Sequence, residues 1–473
     1  MRNIFGVERQ VLILAVARMA ESIGNSFLIV VLPLYIATDH IGGSPLGGIE
    51  LALLGLVILL GVGLLVRVGI GLWSLLIVPV ALVAIIVLDG LNLSLTEVAI
   101  TGVILSMTGF VSSPLQPYTG MLSDRLARRK IFVLIGLLLL GAAGLAYAFA
   151  TNYWHLGALR ILQGVAAALI IPTTVALVND VATEENRGGN MGTYNTFRLV
   201  GFGVGPVAAG LVVAAGPYSL SIAGTEIAMS GFDASFYFAA LTALISFLLV
   251  LMFIYDPELT PMGDATREFR LKILDHTGER LLDPVFTLGL VSFFMAAGIA
   301  LFATLGDLIN TRLGQGSEWF GLQFAAFVLA QIFFQAPIGR ATDFYGRKGF
   351  IVIGTVLLVP TTFVQGIILD STLMFLARFL QGVAGAMVFA PGLALAGDLA
   401  REGESGATLA VLTMAFGFGV AVGPFLSGFL VDFGFVVPFA FGATLAAVGA
   451  VLVHTQVEET ITPRRTIPGL SRR

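Results

Sequence analysis

Apolar runs of about 18 residues or more recur from one end of this 473-residue chain to the other. Each is long enough to cross the ~30 Å hydrocarbon core of a bilayer as an α-helix. In lipid, backbone N–H and C=O groups must be satisfied within the segment or around a closed barrel. These runs are far too long for barrel strands, so the expected fold is an all-α polytopic membrane protein. The first half supplies runs at about 11–36, 98–119, 131–150, 156–178, 190–214 and 234–255. The second supplies about 285–306, 319–338, 350–369, 372–396, 406–431 and 435–454.

Composition narrows the function classes. Hydrophobic residues make up 57% of the chain and charged residues 11%, with a mean hydropathy of +0.97, which leaves too little polar surface for a soluble globule. No long Lys- or Arg-rich stretch is present to serve a nucleic-acid groove. The absence of Cys excludes disulfides, thiolate nucleophiles and Cys-ligated metals, and His40, His155, His276 and His454 are scattered without ligand spacing. No metal, no cofactor and no enzymatic chemistry is expected. A Gly-x-x-x-x-Gly-Lys-Ser/Thr loop is also missing, so ATP is not the expected driving force. The N-terminal stretch lacks a small-residue cleavage site after a short apolar core and reads as a retained first span.

The chain repeats itself. "GMLSDRLARRK" at 120–130 and "GRATDFYGRK" at 339–348 are two charged stretches in a greasy background, 219 residues apart. "RILQGVAAA" (160–168) and "RFLQGVAGA" (378–386) agree at seven of nine positions with an offset of 218. Pro206 and Pro424, and Asp180 and Asp398, stand at the same offset. Landmarks in register over so long a stretch mean two homologous six-helix halves, the signature of a transporter built from repeats. The expected domains are a bundle at 1–255, a polar cytoplasmic linker at 256–284, a second bundle at 285–455 and a cytoplasmic tail at 456–473.

These residues resemble the signatures of the major facilitator superfamily. The family's loop motif after the second span, Gly-x-Leu-x-Asp-Arg-x-Gly-Arg-Lys, is matched by Gly120, Leu122, Asp124, Arg125, Arg128 and Arg129, with Ala127 where the family prefers Gly. The second copy has Gly339, Asp343, Gly346, Arg347 and Lys348, with Phe344 at the first Arg position. The fourth-span motif Arg-x-x-Gln-Gly appears as Arg160, Gln163 and Gly164. The fifth-span motif Gly-x-x-x-Gly-Pro-x-x-x-Gly appears as Gly201, Gly205, Pro206 and Gly210, repeated in the eleventh span as Gly419, Gly423, Pro424 and Gly428. The resemblance implies two pseudo-symmetric six-helix bundles, loop charges that latch one state of the cycle, and an Arg160 that modulates proton uptake. It links the fifth-span motif to antiporters, although a kinked and tightly packed helix explains the same residues.

Orientation follows from charge. With both charged loops in the cytoplasm, 20 of the 25 Lys and Arg residues lie on that side, four lie within helices and only Arg312 lies outside. Both termini are then cytoplasmic. Matching Gly24 to Gly298 gives an offset of 274 rather than 218 or 219, so about 55 residues are inserted between the first two core spans. Residues 51–88 within that insertion suit two short spans, so a hairpin at about 47–91 raises the expected total to about 14 helices. A single long tilted helix with a re-entrant piece is the alternative.

Ionisable residues at membrane depth are costly and functional by default. They are Arg18 and Glu21, Arg160, Arg198 and Arg378. Glu21 reads either as a proton-binding carboxylate or as the local partner of Arg18 three residues earlier. Asn25, Gln163 and Gln381 are polar candidates for the substrate site. In the loops, Asp124, Arg128 and Asp180 are expected to form one charge network, and Asp343, Arg347 and Asp398 its copy. The expected function is proton-coupled export of a small molecule from the cell membrane by a monomer embedded in lipid, with protons as coupling ion and no nucleic-acid partner. Four Arg against one Glu in the helices also suit an uptake or exchange carrier for a small organic anion. A non-transporting membrane sensor is the remaining alternative.

Overall fold

The computed structural model describes residues 3–4, 7–38, 96–181, 187–222, 225–256, 273–274, 280–399 and 405–461. Among these residues twelve helices are long and apolar enough to cross a membrane. They are α1 (Arg9–Ile36), α2 (Glu97–Leu126), α3 (Arg129–Tyr147), α4 (Tyr153–Val181), α5 (Arg187–Ala215) and α6 (Gly231–Phe253). The second set is α7 (Pro284–Thr304), α8 (Ser317–Tyr345), α9 (Arg347–Phe363), α10 (Ser371–Leu399), α11 (Ser405–Leu430) and α12 (Val436–Gln456). The hairpin expected at 47–91 lies outside the described residues.

Local chemistry sets the helix starts. Thr96 caps α2, its hydroxyl accepting the Ala99 N–H at 3.3 Å. Ser230 and Asp233 form a reciprocal capping box at α6. Asp283 accepts from the N–H groups of Val285 and Phe286 just before Pro284, whose missing N–H costs nothing at a first helical position. Helices α2 and α8 run past the expected ends at 119 and 338, to Leu126 and Tyr345. The apolar pattern stops at the lipid boundary, but a helix whose last turns meet the headgroup region keeps its own backbone bonds and needs no apolar residues there.

The chain forms two compact units, Met1–Glu268 with Gly306–Ala325, and Phe269–Leu305 with Ala326–Arg473. The division departs from plain halving at one place, where the start of α8 joins the first unit and the Ser317 hydroxyl donates to the Gly210 carbonyl of α5 at 3.0 Å. Within the first unit α1 packs against α5 and α6, and α3 against α4 and α6. Within the second, α7 packs against α11 and α12, and α9 against α10 and α12. The cores correspond at the repeat offset, with Val133, Ala166 and Ile170 in one and Ile351, Ala384 and Val388 in the other. The fold is the expected all-α bundle pair, and the repeat read from sequence is a repeat of packing.

Candidate functional site

Glu21 stands about 18 Å along α1 from its first residue, near the middle of the span. It is 4% exposed and accepts from Arg18 Nη1 at 2.6 Å, with the Ser22 hydroxyl at 3.5 Å. Of the two readings of Glu21, the local pair with Arg18 is present, on a carboxylate that is itself buried. The Arg18 Nε is buried without a hydrogen-bond partner. Asn25, one turn further on, is half-buried.

Helix α5 lies tightly on this stretch because two glycines face it. A Cβ on Gly201 would stand 3.0 Å from the Ser22 Cβ, and one on Gly205 would stand 2.6 Å from the Ile23 carbonyl oxygen. Either would push the helices apart. In the second unit Gly419 and Gly423 do the same against α7, with 2.7 Å to the Ala296 Cβ and 2.8 Å to the Ala300 Cβ. Helices α5 and α11 run as unbroken α-helix through Pro206 and Pro424. On α5, Arg198 is half-buried and donates Nε to Asn195 Oδ1 at 3.0 Å. It lies within electrostatic reach of Arg18, Glu21 and Tyr194, so Arg198 groups with the α1 ion pair rather than with Asp124 or Asp180.

The two Arg-x-x-Gln motifs are solved differently. Arg160 is 3% exposed and donates Nη1 to Gln163 Oε1 at 3.2 Å, and the Tyr147 hydroxyl reaches the same oxygen at 2.9 Å. The Arg160 Nε and Gln163 Nε2 groups are left as buried donors without a partner. Arg378 donates Nη1 to Gln381 Oε1 at 2.5 Å, and Gln381 passes the chain on to the Thr362 hydroxyl at 2.9 Å. Its guanidinium also sits 4.3 Å from the centre of the Phe302 ring and 5.1 Å from that of Phe327, where ring quadrupoles favour a cation. Tyr147, Phe302, Phe327 and Thr362 carry no motif of their own, so pattern reading had no signal for them.

At the charged ends the expected network is present with one change of residue. Arg129, not Arg128, pairs with Asp124 and, at 2.7 Å, with Asp180, and it donates to the Ser123 hydroxyl at 2.9 Å. Arg128 is exposed as the N-cap of α3, and Arg125 is exposed in the last turn of α2. In the copy, Arg347 pairs with Asp398 and, at 3.6 Å, with Asp343, and donates to the Ala394 carbonyl at 2.6 Å. The cause is turn length. Ala127 and Arg128 separate α2 from α3, whereas Gly346 alone separates α8 from α9, so the first residue of each following helix is Arg129 or Arg347. The offset does fall from 219 at Asp124 and Asp343 to 218 at Asp180 and Asp398, and that lost residue is the signal that points to Arg129.

An acid just beyond the sixth and twelfth helices completes each cluster. Asp256 Oδ1 accepts from the backbone N–H groups of Arg129 and Lys130 at 2.9 and 2.8 Å. Glu459 accepts from the N–H of Lys348 at 2.9 Å. A carboxylate suits a helix N-terminus, whose first N–H groups are unpaired and whose dipole is positive. Gly120 and Gly339 are not crowded, since a Cβ would stand 3.7 Å from Pro172 at the first and meet nothing within 4 Å at the second. Among the described residues no group of three or more His, Cys, Asp or Glu could hold a metal.

Comparison with known proteins places this geometry. A stretch of 178 residues is 26% identical to an uncharacterised major-facilitator-type transporter of Methanocaldococcus jannaschii and covers 37% of this chain but only 46% of that protein. Multidrug resistance protein 2 of Bacillus subtilis is 26% identical over 351 residues, covering 70% of this chain and 80% of that protein. The solved structure of a D-xylose-proton symporter superimposes over 97% of this chain and 99% of that one with a TM-score of 0.64 and 15% sequence identity, a likeness of fold. The family model of the Major Facilitator Superfamily matches residues 14–316 and 288–468. The chain is a multi-pass membrane protein, and by motif, fold and family model alike it belongs to the Major Facilitator Superfamily of transporters.

Proposed function

We propose that this transporter is a proton-coupled exporter of small organic molecules, working by alternating access in the cell membrane as a monomer with both termini in the cytoplasm. The observation that carries the reading is Glu21, the carboxylate buried beside Arg18 near the middle of α1. A carboxylate held there can exchange a proton for the positive pole of a substrate, and that competition is the basis of antiport. The likeness to a multidrug resistance protein supports export as the direction. The networks around Arg129 and Arg347 tie helix ends together within each unit and act as latches that open during the cycle.

The test is transport in proteoliposomes under an imposed pH gradient, with panels of cationic and anionic probes. Wild type drives probe movement against the proton gradient, and Glu21→Gln abolishes it, because an amide cannot alternate between charged and protonated states. The double variant Arg18→Gln with Glu21→Gln stays inactive, while Arg18→Gln alone keeps some activity. Recovery of transport in the double variant reduces Glu21 to a structural partner of Arg18. Full proton coupling in Glu21→Gln removes it from the mechanism.

A further inference from the structure

The first unit keeps three ionic side chains where the second unit, packing the same helices, keeps none. At the offset of 274, Arg18 corresponds to Ser292 and Glu21 to Met295; at the offset of 218, Arg198 corresponds to Phe416. Met295 belongs to the second apolar core, and Phe416 packs against it and against the Phe389 ring at 5.0 Å. Packing of α7 on α11 therefore needs no charge at these positions. Buried ions replaced by well-packed apolar groups commonly leave stability equal or higher, so the charges on α1 and α5 serve something other than the fold.

Their arithmetic shows what is missing. Two guanidinium groups share one carboxylate, and Glu21 is already committed to Arg18 at 2.6 Å. Arg198 has its Nε turned to Asn195 Oδ1. Among the described residues Nε makes its one hydrogen bond, and Glu21 acts on its two terminal nitrogens only through space. Beside it, the Arg18 Nε is a buried donor without an acceptor. Arg198 stands about 17 Å along α5, close to mid-span, where an uncompensated positive charge is expensive. A planar fork held at Nε and open at its far edge matches a carboxylate in a bidentate pair.

We infer that Arg198, oriented by Asn195 and backed by Arg18, binds the carboxylate of an amphiphilic organic substrate. The inference rests on the transport reading above and narrows its substrate class. A substrate with a cationic pole as well can meet Glu21 with that pole, which keeps competition with the proton intact.

Equilibrium binding to the purified full-length protein in nanodiscs tests this without any transport step. Benzoate, 1-naphthoate and indole-3-acetate are compared with their neutral amides in halide-free buffer, with affinity read from ligand-dependent thermal unfolding. The acids bind and the amides do not. Arg198→Gln weakens the acids by at least about tenfold, the usual effect of losing a charge-assisted hydrogen bond, and Arg198→Lys falls between. Glu21→Gln tightens them, because it frees Arg18. Opposite signs in two variants of one cluster separate binding from damage to the fold, which would weaken both. Equal binding of acids and amides, no binding of either, or unchanged affinity in Arg198→Gln overturns the inference. Stabilisation by bromide alone, with nothing added by the acids, assigns the place to an inorganic counter-ion and overturns it too. Failure of the exporter reading shows separately, as a wild type with no pH-driven efflux.

Discussion

The two charged turns are copies in sequence and differ in the residue that does the work. The first leaves α2 through Ala127 at φ 50°, adds Arg128, and starts α3 on Arg129. The second leaves α8 through Gly346 at φ 99° and starts α9 at once on Arg347. One residue fewer in the turn moves the network from the third residue after the helix to the second. What is repeated is the place of the guanidinium at the head of the next helix, between an acid on the preceding helix end and an acid on the following span. Repeated geometry outlasts repeated spelling, because an ion pair depends on where charge sits and not on its count along the chain.

The largest expected effect separates neighbours. Arg129 is 8% exposed and Asp180 and Asp124 depend on it, so Arg129→Gln is expected to cost about 2–3 kcal/mol, at or just below the ~3–5 kcal/mol of breaking a fully buried pair, because the two acids are 20% and 37% exposed. Arg128→Gln, at an exposed N-cap without a side-chain bond, changes stability by less than about 0.5 kcal/mol. Thermal unfolding of the purified variants measures both. Equal losses undo the one-residue shift.

Capping comes next. Asp256→Ala removes an acceptor for two N–H groups and is expected to cost about 1–2 kcal/mol, against about 1 kcal/mol or less for Glu459→Ala, which loses one. Reversal of that order in the same unfolding assay breaks the correspondence of Asp256 with Glu459.

Backbone strain predicts opposite signs in the two turns. Ala127 holds a left-handed conformation that costs a non-Gly residue roughly 1 kcal/mol, so Ala127→Gly is expected to stabilise by about 0.5–1 kcal/mol. Gly346→Ala destabilises by about 1 kcal/mol or more, since few L-residues reach φ 99°. Matching signs in the unfolding midpoints show that the turns do not share this stress.

Among the acids of the two networks the smallest stability effect belongs to Asp343, whose side chain is 63% exposed and 3.6 Å from Arg347, against 37% for Asp124. Asp343→Asn is expected to cost less than about 0.5 kcal/mol and to lose even that in high salt. Turnover compared with binding affinity sharpens the latch role, as Asp124→Asn should slow cycling while leaving affinity nearly intact. Equal loss of both counts against a latch.

Much of this molecule is written in one dimension. Apolar runs of fixed minimum length and landmarks at a constant offset suffice for the twelve spans among the described residues and for their relation as two copies, because a bilayer leaves the backbone few choices, while the further hairpin expected at about 47–91 lies outside those residues. Arg18, Glu21, Arg160, Arg198 and Arg378 were legible as site candidates for the same reason, since charge at membrane depth stands out in any hydropathy reading. Only the tertiary structure decided their company. It put Arg198 with the α1 ion pair, set Arg378 between Phe302 and Phe327, gave Arg129 the place expected of Arg128, and brought Asp256 and Glu459 to helix starts more than a hundred residues away. Those choices depend on turn lengths, helix rotation and side-chain direction to within an ångström, and hydropathy averages over all three.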